Sequence, residues 1–355
     1  MQEGRVSFMP VNGDTRSIAA NLMSWARGVD APNGACKVVV IEDASLLPDV
    51  GRHEFLTPAT TVFVPGAAQA RGSGQPLAVS NGGQVFSYVG EFRDPDADIQ
   101  VGEDFYVQQQ SYAVSEFVPV GGPTILRACS DMDVAAFYRD ADTARSAGKF
   151  PAALLHPQSL LGDMPSLGFL PGSAEVSHIY VAGSGEVFTS PSGIPLGTLG
   201  DSDRGWSRSW VSGITEVGLR PEVADRPWIS HYMLAADALR HAAVRGLQDM
   251  RVSGFGGHLV PALDGTEVRV PGQSSLLLFN SSVAHLHDGA TSKTYRLGSD
   301  AAKFVDVMLA IGSDAAEAAR ILGCPESVAE ESIRQIENSF NAKGIRFGSV
   351  QAAGL

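Results

Sequence analysis

Lys293-Thr-Tyr-Arg-Leu-Gly-Ser-Asp-Ala-Ala-Lys-Phe304 changes character in mid-course, from a short strand pattern over 293–297 to helical spacing after Ser299. Upstream, Glu267-Val-Arg-Val270 and Ser275-Leu-Leu-Leu-Phe-Asn280 with Val283-Ala-His-Leu-His287 are further strand candidates, punctuated by the turn formers Pro271-Gly272 and Asp288-Gly289. Downstream, three helices are expected. Ser299-Asp300 caps the first, which carries Phe304, Val307, Met308 and Ile311 on one side. Ser313-Asp314 caps the second, with Ala315, Ala318, Ala319 and Leu322. Pro325 opens the third, whose apolar side is Val328, Ile333, Ile336 and Phe340, and Gly344 stops it.

Taking 275–280 with 283–287 as one segment, three strand segments followed by three helices within residues 263–347 is the order of a small winged-helix-like domain. Further upstream, Thr15 to Arg27 and Asp131 to Ala147 read as amphipathic helices, Lys37-Val-Val-Val-Ile41 as a buried strand, and a helix should run from Pro227 to Leu247. Thr61-Val-Phe-Val64, Gln84-Val-Phe-Ser-Tyr-Val89 and Ser115-Glu-Phe-Val-Pro119 suggest an antiparallel sheet, and His178 to Thr189 a hairpin turning at Gly183-Ser-Gly185. The expected fold class is α+β: an N-terminal α/β domain (1–125), a middle α+β region ending in a long helix (126–262), the winged-helix-like domain (263–347) and a tail (348–355).

A length of 355 residues fits two or three domains, and 44% hydrophobic residues suffice for a core in each. The net charge is -13, and residues 263–347 hold 8 Lys and Arg against 11 Asp and Glu. That sign opposes nucleic-acid binding, where affinity comes from cations displacing condensed counterions. Cys36, Cys129 and Cys324 are odd in number and widely spaced, which suits neither a disulfide framework nor a zinc site. With no long apolar run, the expectation is a cytoplasmic protein that does not enter the membrane.

Thr294 to Phe304, then Ile311-Gly-Ser-Asp-Ala-Ala-Glu-Ala-Ala-Arg-Ile-Leu322, then residues 327–345 resemble the RiPP recognition element, the leader-peptide-binding domain of the peptide chaperone of pyrroloquinoline quinone biosynthesis. Leu297-Gly298, Gly312 to Glu317 and Lys343-Gly344-Ile345 stand where that family has its strand end, its entry into the second helix and its closing motif; Gly298 replaces the family's usual Asn. The layout, with Arg226-Pro-Trp-Ile229 and Val252-Ser-Gly-Phe-Gly-Gly257 ahead of the element, also resembles the recognition proteins of daptide-type pathways. The resemblance implies binding of a precursor's leader peptide and its presentation to partner modifying enzymes such as a dehydrogenase.

In residue terms, a peptide adds as a strand beside Lys293, Thr294, Tyr295, Arg296 and Leu297, because an edge strand exposes unpaired backbone groups. The third helix supplies the polar candidates Ser327, Glu330, Glu331, Arg334, Gln335 and Asn338. Internal or dimer packing of the same module is the competing reading, and a homodimer stays open.

No catalytic set emerges, and no cofactor is expected. His285 and His287 alternate along a strand and are the best metal candidates, but a solvent-facing pair at a hairpin end is the favoured reading. Gly183-Ser-Gly185 and Gly254-Phe-Gly-Gly257 lack the strand-loop-helix context of a phosphate cradle, so turn chemistry explains them. Trp206 and Trp210 are expected to pack in a core or interface in preference to stacking on a ligand. The favoured function is an accessory peptide-binding protein; a peptide-modifying enzyme with its site in the N-terminal region, and a non-catalytic scaffold, stay open.

Overall fold

The computed structural model describes residues 13–29, 37–66, 77–78, 83–102, 105–169, 175–266, 275–289 and 291–345. The chain runs α1 (Gly13–Arg27), β1 (Val38–Ile41), α2 (Leu47–Val50), β2 (Thr61–Pro65), β3 (Leu77–Ala78), β4 (Gln84–Val89), β5 (Ile99–Val101), β6 (Phe105–Ser111) and β7 (Thr124–Arg127). It continues through α3 (Asp131–Ala147), α4 (Ala152–Leu155), β8 (Ser159–Leu161), β9 (His178–Val181), β10 (Glu186–Phe188), β11 (Pro195–Thr198), α5 (Asp203–Leu219), α6 (Pro221–Ala224) and α7 (Ile229–Val244). The last part is β12 (Arg251–Val252), β13 (Ser275–Phe279), β14 (Ala284–Asp288), β15 (Lys293–Leu297), α8 (Ser299–Ile311), α9 (Ala315–Leu322) and α10 (Glu326–Asn341). The strand expected at Glu267 to Val270 and Cys36 lie outside the described residues. Two compact units result: residues 1–130, 158–167 and 173–217 form the first, and residues 131–157, 168–172 and 218–355 the second.

The first unit is built on a large mixed sheet in the order β11-β10-β9-β1-β2-β4-β5-β6-β7-β8, with β3 paired to β4. The antiparallel sheet expected from Thr61 onward is corrected here. β2 lies parallel to both β1 and β4, and β6, β7 and β8 run parallel, while antiparallel pairing is confined in this stretch to β3-β4 and β4-β5-β6. The physical reason is visible in burial: β1, β7 and β9 are buried at every position, as strands covered on both faces must be, so they cannot show the alternation of a half-exposed strand. One face, with Val38, Val40, Phe63, Tyr88 and Tyr180, packs with Leu22 and Trp25 of α1. The hairpin expected around Gly183 to Gly185 is present as β9 and β10.

Two further expectations change. Residues 115–119 are no strand; a 3-10 turn at Tyr112–Val114 is followed by a bond from the Phe117 N–H to the Val114 carbonyl, and Phe117 is 79% exposed. Trp206 and Trp210 lie on α5, and Trp206 is fully buried, stacked at 4.1 Å on His53 and donating from Nε1 to the Thr198 carbonyl at 3.1 Å. The two tryptophans therefore pack in the interior, each large buried ring contributing about 1.5–3 kcal/mol.

The second unit carries an antiparallel sheet in the order β12-β13-β14-β15. On one face Leu277, Phe279, Ala284 and Leu286 join Phe304, Met308, Ala318, Ile333, Ile336 and Phe340 of α8, α9 and α10 in a single core. On the other face, α7 packs against β12 and β13, and its His241 ring stacks on His287 at 6.4 Å. Asp314 caps α9 as expected, its carboxylate accepting from the Glu317 N–H at 3.1 Å. The cap of α8 is different from expectation: Gly298 occupies the position, without a side-chain bond, and Ser299 is already the first helical residue. Gly256 permits a close approach inside this unit, since its φ is +69° and a Cβ there would fall 2.4 Å from the Gly148 nitrogen.

Candidate functional site

β15 ends the sheet, so one of its flanks is paired with β14 and the other has no strand partner among the described residues. Which backbone groups face outward follows from alternation along an antiparallel ladder. The Asn280 N–H donates to Val283 O at 3.0 Å across Ser281 and Ser282, which makes 280 and 283 a bonded pair. Counting outward through the register, His285 and His287 point their backbone groups at β13, while Ala284, Leu286 and Asp288 point theirs at β15. Their partners Leu297, Tyr295 and Lys293 are thereby satisfied. The outward N–H and C=O groups of β15 are therefore those of Thr294 and Arg296.

The side chains of β15 divide between two faces. Tyr295 and Leu297 pack partly buried against the helical core, and the Tyr295 ring meets Phe340 edge-on at 5.7 Å. Lys343 Nζ lies 4.9 Å from the Tyr295 ring centroid and 4.8 Å from that of Phe340, a cation over two aromatic faces. Lys293 and Arg296 are exposed.

Phe340 and Lys343 show which flank of α10 lies beside β15. The buried residues Ala329, Ile333, Ile336 and Phe340 define its inner stripe, and Glu337 accepts from Ser313 Oγ at 2.6 Å on the side of α9. At 3.6 residues per turn, the opposite flank holds Val328, Ser332, Gln335 and Ser339 and leads into Lys343. Of the helix residues singled out from sequence, Gln335 belongs to that flank, and Glu330, two turns before Glu337, lies on the side of α9. Ser327, Glu331, Arg334 and Asn338 project on the outward side, where Glu331 pairs with Arg334 and accepts from Gln335 Nε2 at 2.5 Å. Sequence reading placed Val328 on the apolar side of the helix, where it is instead 47% exposed, and named Lys343 only in the closing motif; it did not single out Ser332 and Ser339. Spacing from Phe340 would have found them only once the Tyr295–Phe340 contact was known.

His285 and His287 do not form the expected solvent-facing pair. His287 is 3% exposed, bonded through Nδ1 to Thr294 Oγ1 at 3.1 Å, and burial, reinforced by His241, pulls its pKa down to about 4. His285 is half-buried and its pKa is also lowered, first by burial and then by Arg296. Among the described residues no group of three or more His, Cys, Asp or Glu side chains is arranged to hold a metal ion. Cys129 and Cys324 are half-buried free thiols.

A Ser, a His and an Asp do meet in the second unit, beside a recess also lined by Arg145, Trp228 and Phe255. Ser253 Oγ lies 2.9 Å from His258 Nδ1 and donates to Asp306, whose Oδ1 is 3.2 Å from that same Nδ1, and the Val260 N–H donates to Asp306 Oδ2 at 2.8 Å. A proton relay needs serine and carboxylate on opposite nitrogens of the imidazole. Here both meet Nδ1, so the trio ties residues 253–260 to α8 and activates no nucleophile.

Comparison of the chain with protein-family models, curated proteins and solved structures gives no match. No helix among the described residues is long and apolar enough to cross a membrane.

Proposed function

We propose that the chain is a leader-peptide recognition protein of the RiPP type, its C-terminal part acting as a winged-helix-like recognition element built from β13, β14, β15 and α8 to α10. The precursor adds as a fifth strand on Thr294 and Arg296, and one set of its alternating side chains lies over Tyr295 between β15 and the Val328–Lys343 flank of α10. The observation that carries this reading is the open edge of β15, backed by the Tyr295, Phe340 and Lys343 cluster. An extended peptide gains affinity from main-chain bonds to such an edge and specificity from pockets for alternate side chains. Held there, the precursor is presented to separate modifying enzymes, of which a dehydrogenase is one.

The direct test is a fluorescence-polarisation titration of labelled leader peptides from short reading frames beside the gene. A saturable rise with the full chain is expected. Arg296→Pro should weaken binding by about tenfold or more, since proline removes the outward N–H at one edge position. The β14–β15 ladder does not use that N–H, so the fold should be unaffected. Equal affinity of the two proteins would overturn the placement.

A further inference from the structure

The lysine and arginine residues of the stretch 291–345 fall into two groups by what they meet. Lys303, Arg320 and Arg334, on the helices, pair with Asp300 at 3.4 Å, with Glu317 at 2.5 Å and with Glu331. Lys293 and Arg296 of β15, and Lys343 beside it, are exposed and have no carboxylate partner among the described residues. The carboxylate that faces Lys293 in the register, Asp288, is 5% exposed and accepts from Thr291 Oγ1 at 2.5 Å. The flank of α10 beside β15, with Ser332, Gln335 and Ser339, adds no negative charge.

A single exposed cation needs no partner. Three around one open strand edge, in a chain whose net charge is -13, make a local positive potential that attracts carboxylates, while the rest of the surface repels them.

The places of these cations on β15 set where the carboxylates stand. Residues directly opposite in a ladder share a face, with Cβ atoms about 5 Å apart, within reach of Asp or Glu. A strand added at the open edge therefore puts one side chain opposite Tyr295, on the helical side, and its neighbour opposite Arg296, on the other face. Lys293, two residues from Tyr295, returns to the helical side, and Lys343 Nζ, 4.9 Å from the Tyr295 ring centroid, adds charge there. Tyr295 itself, half-buried against Phe340, presents ring surface and suits an apolar residue.

We propose that the peptide taken up by β15 is acidic in a fixed pattern. An apolar residue stands opposite Tyr295, one carboxylate is a single place away opposite Arg296, and a second is two places away in the other direction, opposite Lys293. This rests on strand addition as the mode of recognition and names the chemistry that the edge selects. The order in the peptide reports its direction: acidic-apolar-any-acidic for an antiparallel strand, acidic-any-apolar-acidic for a parallel one.

The test uses the full chain and the labelled leader peptides from short reading frames beside the gene, titrated by fluorescence polarisation. Affinity should fall from about 0.1 to about 1 M salt, over which the screening length shrinks from about 10 to about 3 Å. The double substitution Lys293→Glu and Arg296→Glu, at exposed side chains that leave the backbone ladder in place, should weaken binding by about tenfold or more at the lower salt. A leader with Lys at its two acidic positions should reverse the preference and bind this variant better than the wild type. Affinity independent of salt, equal affinity of variant and wild type, or a bound leader lacking the two carboxylates at this spacing would overturn the acidic pattern and leave strand addition standing. Absence of binding by every leader at both salts would overturn strand addition itself, and this proposal with it.

Discussion

Asp306, in the core of the second unit, and Arg127, at the end of β7 in the first, are 1% and 5% exposed, yet their surroundings are opposite. Asp306 accepts from Ser253, is met by His258 Nδ1 and accepts again from the Val260 N–H, so each carboxylate oxygen is engaged. Arg127 has Nη1 fixed twice, by the Phe92 carbonyl and Gln109 Oε1, and a buried Nη2 without a partner among the described residues. A buried charge whose bonds are complete is a fastening, whereas one with bonding capacity unused carries an uncompensated desolvation cost. Strands show a contrast of their own: β1, β7 and β9 of the first sheet and β13 of the second are buried along their length, whereas β15, at the end of the second sheet, has outward backbone groups and exposes Lys293 and Arg296.

The sharpest way to break the comparison is to remove the fastening. Asp306→Ala should destabilise the second unit by about 3–5 kcal/mol, read by urea unfolding, because it strands a buried histidine, a hydroxyl and a backbone N–H at once. A loss below about 1 kcal/mol would mean that the cluster tolerates its gaps, and the distinction from Arg127 would weaken.

Acid should act on the same unit through His287. Its folded pKa of about 4 lies below the ordinary value of 6.5, so the unfolded chain binds the proton more readily. The resulting stability is fully present above pH 6.5 and is lost as pH falls toward 4, by about 3 kcal/mol in total. His287→Asn should flatten that slope in a pH series of unfolding midpoints; an unchanged slope would assign it to other groups. The smallest effect is expected at the α9 cap, where Asp314→Ala should cost about 1 kcal/mol and leave peptide affinity unchanged.

Local patterns carried much of this fold into the sequence. α3 has the expected bounds, the third C-terminal helix follows Pro325 as expected, and Asp314 caps as its position suggests. What was hidden depends on distant partners. The parallel order of β1, β2 and β4 is invisible because β1 and β2, buried on both faces, lose their alternation, while the partly exposed pattern of β4 fits either direction of pairing. α5 was obscured by Gly205 and Gly213, poor helix formers; at Gly213 a Cβ would sit 2.2 Å from Ile194 Cγ2, so packing outweighs propensity. Tyr295 to Leu297 could be read as an edge, but the flank of α10 beside it could not, since the Phe340 and Lys343 contacts fix it. Arg127 gave no signal at all: its bonds are to Phe92 and Gln109, each far from it in sequence.

Hydrogen exchange at single-residue resolution on β15, with and without a bound leader peptide, tests strand addition most directly. The N–H groups of Thr294 and Arg296 should exchange fast in the free protein and slow together when peptide binds, while that of Tyr295, already bonded to β14, changes little. A peptide that binds and leaves Thr294 and Arg296 exchanging as before would contradict the account.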